Sequence, residues 1–199
     1  TEARNRLMDY LESLTEKQAP TYYIMMDLDD VCSQPLNTNV FHAGLSGLDR
    51  YDSITYFNQR YYDFWALELD EFTSSCWHFN HPDRVMRAAY ARLKGYFDIG
   101  VEYTPCKSSF NGFGVYRAEA FKGCRYSCAP YRDDAKDTDL ALLRENTRVS
   151  FKHRAYKSGV DCEHKHFYRS ALQRNGATMR YTAVDCSLCT RVNTGMQYM

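Results

Sequence analysis

The sequence predicts an α/β fold. Helix-like and strand-like segments alternate along its 199 residues, as they do when helices cover a sheet. The composition supplies the core such a fold needs, with 44% hydrophobic and 25% charged residues. With 17 Tyr and 11 Phe, the chain is far from the aromatic-poor composition of disordered segments. At this length a single domain over residues 1–199 is expected. No repeat, low-complexity tract or linker divides it.

Each element has a local reason. Arg4 to Leu14 carries Leu7, Leu11 and Leu14 at helical spacing, widened by Met8, and predicts a first helix. Gln18-Ala19-Pro20 ends it. Tyr22 to Met26 is a short apolar run, read as a buried strand that stops at Asp27-Leu28-Asp29-Asp30. Ser53 to Phe57 predicts a second strand. Tyr61 to Leu67 is dense in aromatics and fits either strand or loop. Pro82 to Leu93 reads as a helix: Pro82 suits the first turn, Val85, Met86, Ala89 and Leu93 form a stripe, and Gly95 closes it. Asn111 to Tyr116 is a strand entered through a glycine turn. Asp161 to Arg174 predicts a helix capped by Asp161 and ended by Asn175-Gly176. Met179 to Val184 is the last strand expected.

The charge balance excludes some functions. Lys and Arg total 25 and Asp and Glu total 25, for zero net charge. That argues against a nucleic-acid binder working through a broad basic face. No apolar stretch approaches the roughly 20 residues that cross a bilayer. Thr1 to Lys17 carries charges throughout, and no secretory signal is read there. The chain holds eight Cys. Cys186-x-x-Cys189 with Cys124-x-x-x-Cys128 could in principle hold zinc. The second spacing is unusual, and free thiols in a reducing compartment are the expectation. A cytoplasmic location is expected with them.

The motif that carries chemistry is Asp27-Leu28-Asp29. Residues i and i+2 of a strand point to one side, so Asp27 and Asp29 face together and Leu28 faces the core. Two adjacent carboxylates repel unless a cation lies between them. Mn²⁺ or Mg²⁺ suits such oxygen donors and completes its shell with phosphate and water. Spacing alone proves little, since Asp137-Thr138-Asp139 repeats it. That copy sits in a polar stretch with no apolar strand before it and reads as a solvated loop or helix start.

Two enzyme classes place such carboxylates after an apolar strand. Asp27-Leu28-Asp29-Asp30-Val31 resembles the first motif of haloacid-dehalogenase-like phosphatases, in which Asp27 would be the nucleophile and Asp29 the acid/base. That motif normally opens its fold, whereas here a helix precedes it. The acidic pairs Asp70-Glu71 and Asp133-Asp134 also lack the clean apolar strands that fold wants.

Several other segments resemble GT-A glycosyltransferases. Ala3-Arg4-Asn5 resembles the "ARN" helix before Asp-x-Asp in many of them. Asp52 to Phe57 with Tyr61-Tyr62-Asp63-Phe64-Trp65-Ala66-Leu67 is similar to the "WDA…YYDxWAL" segment of a subgroup found in microbes and large DNA viruses. Phe110-Asn111-Gly112-Phe113-Gly114-Val115-Tyr116-Arg117 is similar to its glycine-bearing "FGG(x)xxYR" strand, and Asp161-Cys162-Glu163-His164 to its "CEH" helix start. These segments fall in the family's order and span Ala3 to His166.

The resemblance implies a GT-A-like mixed sheet flanked by helices. The βαβ unit that cradles the nucleotide comes well before Asp-x-Asp in that fold, and only its tail is present here. The chain therefore reads as the C-terminal part of the fold, either a fragment truncated at its N-terminus or a reduced form of that fold. The implied activity is sugar transfer from a nucleotide-diphosphate sugar donor to a hydroxyl of a glycan or glycoconjugate acceptor. Asp27 and Asp29 would hold Mn²⁺ or Mg²⁺, which acts on the departing diphosphate as a Lewis acid. Glu163 would be the base if the reaction inverts the anomeric centre, and His164 a metal or phosphate ligand, with His166 facing away. The plain alternative for Glu163 is an acid placed favourably in a first helical turn.

Arg4, Asp30, Asp63, Trp65, Asn111, Gly112 and Phe113 are the remaining candidates for nucleotide or sugar binding. Glycine at position 112 would let backbone approach a sugar, or simply make a tight turn. Trp65, Tyr61 and Tyr62 could stack on a sugar face or pack in the core. Asp63 could hydrogen-bond a sugar hydroxyl or be a satisfied structural carboxylate. A non-catalytic carbohydrate-binding domain is the third reading of the same residues.

Overall fold

The computed structural model describes residues 1–28, 36–57, 63–69, 76, 79–98, 103–129, 160–174 and 182–186. Among these the architecture is mixed α/β. Four α-helices are α1 (Glu2–Ser13), α2 (Thr38–Ser46), α3 (Pro82–Asp98) and α4 (Glu163–Arg174). Five strands are β1 (Tyr22–Met26), β2 (Ser53–Phe57), β3 (Thr104–Cys106), β4 (Phe113–Arg117) and β5 (Thr182–Cys186). They form one sheet in the order β1-β4-β2-β5-β3. The β1, β4 and β2 strands run antiparallel, with Ile24 and Ile54 both opposite Val115. β5 joins β2 in parallel and β3 closes the other edge antiparallel.

The sheet buries different residues on its two faces, because successive side chains of a strand alternate. Tyr23, Met25 and Tyr116 turn to one face, where Met8 of α1 and Phe167, Tyr168 and Ala171 of α4 meet them. This layer is mostly rings. Tyr126 stacks on Phe167 at 4.0 Å and Tyr23 on Tyr116 at 5.1 Å. Ile54, Tyr56, Phe113 and Val115 turn to the other face under Val40, Phe41 and Leu45 of α2. The helix carries glycine at its closest approach, since a Cβ at Gly44 would run into the Tyr56 ring. α3 packs Ala89 and Leu93 on Leu67, Leu69 and Cys106.

Three expectations change. The Tyr22–Met26 run is an edge strand with one face buried: Ile24 is 51% exposed and Met26 43%. Leu28, expected in the core, continues that uncovered side and is 91% exposed. An apolar run does not by itself say whether one face or both are covered. The third helix runs past Gly95 to Asp98. A Cβ at Gly95 would touch nothing within 4 Å, so this glycine is an exposed helical residue and not a stop. α2 and β3 carried no sequence signal that was read as an element.

Candidate functional site

The site forms where the aromatic layer between β1, α1 and α4 runs out of apolar residues. Asp27 follows Met26 and, by strand alternation, shares the side of Tyr23 and Met25. Its backbone N–H continues the ladder by donating to the Gly112 carbonyl at 2.9 Å. On α1, Arg4 lies one turn before buried Met8, and on α4, Glu163 lies one turn before buried Phe167. Residues four apart share a helix face, so both stripes aim their last, charged member at the same place.

There the Arg4 guanidinium bridges two carboxylates. One terminal nitrogen donates to Asp27 Oδ1 at 2.6 Å and the other to Glu163 Oε1 at 2.7 Å. The three side chains are 20–27% exposed. Aromatic rings back the cation, with Arg4 Cζ 5.3 Å from the Phe110 centroid and 5.7 Å from that of Tyr126. Asn5 locks the helix to this wall by exchanging two hydrogen bonds with the Tyr126 backbone, at 2.9 and 2.7 Å. His164 stacks on Phe110 at 4.0 Å and meets the edge of Tyr126 at 5.4 Å.

A third carboxylate comes from the loop after β2. Asp63 Oδ1 accepts from the Ala66 N–H at 3.2 Å, which closes a turn over 63–66. The Asp63 N–H donates to Asn111 Oδ1 at 3.4 Å, and Asn111 Nδ2 donates to the Tyr56 carbonyl at 3.0 Å. Asn111 is fully buried. It adopts φ +53° and Gly112 φ +85°, and the Phe113 N–H reaches back to the Phe110 carbonyl at 3.4 Å. Two successive positive φ values inside a closed four-residue turn mark type I′, for which Asn-Gly is the preferred pair. The same loop is tied to α4 by Arg169, whose Nε donates to Glu68 Oε2 at 2.9 Å while Nη2 pairs with Oε1.

This setting shifts protonation. Burial raises the Asp63 carboxyl to about 6, with the Ala66 N–H opposing and the charges of Asp27 and Glu163 adding to the rise. Like charges close together disfavour ionising the last of them. Burial works against the Arg4 charge, but Asp27 and Glu163 outweigh it and hold the guanidinium above its ordinary range. His164 is pushed well down, first by burial and then by Arg4. Its Nδ1 is buried without a hydrogen-bond partner among the described residues. His164 is thus a neutral ring stacked on Phe110. Cys162, just before Glu163, is pushed well up by burial and by Asp63 and Glu163, and is an un-ionised thiol.

Of the residues singled out in the sequence, Arg4, Asp27, Asp63, Asn111, Gly112, Glu163 and His164 gather here. Phe113 does not: its ring packs into the opposite face beside Tyr56 and Phe41, because its register partner is Met26 and not Asp27. Trp65 is 37% exposed, on the turn that Asp63 opens. His166 turns to the Arg125 carbonyl at 3.2 Å. Asp29, Asp30, Tyr61, Tyr62, Asp70-Glu71, Asp133-Asp134, Asp137-x-Asp139 and Cys189 lie outside the described residues. Cys124 and Cys128 are free thiols. Tyr126 and the Glu68–Arg169 pair were not singled out, and Phe110 entered only as the first residue of the glycine-bearing segment. An aromatic wall and a buried ion pair leave no local pattern, since their partners are far apart in the chain.

Among the described residues no group of three or more His, Cys, Asp or Glu is placed to hold a metal ion. Asp27 offers an oxygen donor of the kind Mn²⁺ or Mg²⁺ prefers, and the second member of the pair, Asp29, lies outside the described residues. No described helix is long and apolar enough to cross a membrane. The fold and site define a mixed α/β domain with three carboxylates and a guanidinium at the end of its edge strand. Comparison with protein-family models, curated proteins and solved structures gives no match.

Proposed function

We propose that the chain is a glycosyltransferase, moving a sugar from a nucleotide-diphosphate donor to a hydroxyl of a glycan or glycoconjugate. One observation carries the reading. Asp27, Asp63 and Glu163 stand far apart in the sequence, each in a segment that resembles a glycosyltransferase motif, and Arg4, from a fourth such segment, pairs with two of them. A carboxylate cluster partly open to solvent is what acceptor activation needs. In an inverting displacement Glu163 accepts the proton of the acceptor hydroxyl, whose oxygen bonds to the anomeric carbon as the bond to the diphosphate breaks. Asp27 and Asp29 are the residues that would hold Mn²⁺ or Mg²⁺, whose chemistry is to neutralise the departing diphosphate.

The test is a panel of nucleotide-diphosphate sugars with Mn²⁺, read as release of nucleoside diphosphate. The wild type is expected to turn over at least one donor. Glu163→Gln is expected to lower the rate about 100-fold or more, the usual scale for removing a general base. Turnover of a generic phosphate monoester that is lost on Asp27→Asn would replace this reading with phosphate hydrolysis. Sugar binding indifferent to chelator and nucleotide would replace it with a binding domain.

A further inference from the structure

We infer that Asn111 is a positioning residue: it fixes the Asp63 turn against the ends of β1 and β2, and so sets where Asp63 stands relative to Asp27. Four facts converge on it. Its side chain is 0% exposed. Its Oδ1 takes the Asp63 N–H, and its Nδ2 gives to the last part of β2 at the Tyr56 carbonyl. The adjoining Gly112 carbonyl takes the Asp27 N–H. Its φ of +53° is one that L residues rarely adopt, with Asn among those that tolerate it best.

The choice of residue follows from these demands. Glycine would satisfy the backbone but offers no amide. Aspartate tolerates the same φ and keeps an acceptor for Asp63, yet cannot donate to Tyr56 as a carboxylate. Asparagine alone of the three meets every demand. A side chain with both ends engaged inside the protein acts on a ligand only through what it holds. Placing reacting groups to within a fraction of an ångström is worth orders of magnitude in rate, so a buried brace between two carboxylates has a catalytic consequence without touching substrate.

The inference rests on reading Asp27 and Asp63 as site carboxylates, and its test separates the two. Amide hydrogen exchange is measured on the wild type, Asn111→Gly and Asn111→Asp. In Asn111→Gly, exchange at Asp63 and Ala66 is expected to rise about tenfold or more, while Ile24, Ile54 and Val115 in the ladder keep their protection, since opening is local. Asn111→Asp, which keeps the acceptor for Asp63 but loses the donor to Tyr56, is expected to raise exchange at Asp63 and Ala66 by less than Asn111→Gly does. Unchanged exchange at Asp63 in Asn111→Gly, or even loosening of the whole sheet, overturns the inference. If the glycine variant does not fold, exchange in Asn111→Asp that rises at Asp63 and Ala66 alone supports the inference, and unchanged exchange there or even loosening of the whole sheet overturns it. Where transfer is measurable, Asn111→Gly is expected to lower kcat about 30-fold with KM within about threefold, and Asn111→Asp to restore most of it. A chain that transfers no sugar would retire the functional reading, and the exchange arm would still decide the role of Asn111.

Discussion

α4 carries one member of each of two ion-pair systems, and they are built differently. Arg169 meets Glu68 as a fork, two nitrogens on two oxygens of one carboxylate, with Glu68 fully buried and Arg169 14% exposed. Arg4 divides its fork, one nitrogen to Asp27 and one to Glu163, all partly open to solvent. A bidentate pair satisfies both partners at once and fixes their geometry. A divided one leaves two carboxylates near each other and near Asp63, and each rise in negative charge there makes the next ionisation harder. The first arrangement is what a tie between a helix and a loop needs. The second leaves its carboxylates partly open to solvent.

The sharpest way to break this contrast is Arg169→Met. It strands Glu68 as an unpaired buried carboxylate, and removal of one partner from such a pair costs about 3–5 kcal/mol. Urea unfolding is expected to show that loss. A cost below about 1 kcal/mol would mean the fork is no more than a surface contact.

Asp63 sharpens the comparison through pH. Its folded value of about 6 lies above its ordinary value. Ionising it therefore favours the unfolded chain. The stability it contributes is full below the ordinary carboxylate range and is lost as pH rises through about 6. The amplitude is about 2–3 kcal/mol. Asp63→Asn is expected to flatten that part of the stability–pH curve measured by urea unfolding between pH 4 and 7, while keeping the acceptor for the Ala66 N–H. Glu163→Gln removes a neighbouring charge and should move the midpoint down. A midpoint indifferent to Glu163 would place Asp63 outside the cluster.

Arg4→Met comes next in size. Loss of two charge-assisted hydrogen bonds at a partly exposed site should cost about 1–2 kcal/mol, clearly less than Arg169→Met in the same urea titration. If the two variants cost the same, the distinction between tie and site fails. Nucleoside diphosphate release should respond in the opposite order, falling about 100-fold in Arg4→Met and little in Arg169→Met at a temperature where both are folded.

The sequence made local things legible and left distant ones dark. Tyr22–Met26 and Ser53–Phe57 appear as strands at the expected residues, because an apolar run between turn signals is local information. The Asn111-Gly112 turn was readable for the same reason. That Ile24 and Leu28 face outward was not readable, since it depends on which strand and which helix cover β1. The site divides the same way. Asp27, Asp63 and Glu163 could be singled out by the segments around them, yet nothing in those segments says that Arg4 joins two of them. Tyr126 joins the wall behind Arg4 through distant partners, with Asn5 holding its backbone and Phe167 its ring.

The smallest expected effect supplies the baseline for the rest. Asp83 and Arg87 pair at 2.6 Å across one turn of α3, with side chains 55% and 63% exposed. Solvent screens such a pair and its two side chains surrender rotamer freedom to make it, so its worth is about 0.3–0.5 kcal/mol. Asp83 also stands in the first helical turn, where a negative charge gains a few tenths of a kcal/mol against the N-terminal end of the helix. Arg87→Met should thus cost less than Asp83→Asn, and neither should exceed about 1 kcal/mol in urea unfolding. The double variant isolates the pair from the dipole. If this exposed pair proved as costly as Arg4→Met, the partial burial and aromatic wall around Arg4 would have no energetic meaning, and its two carboxylates would be ordinary surface contacts.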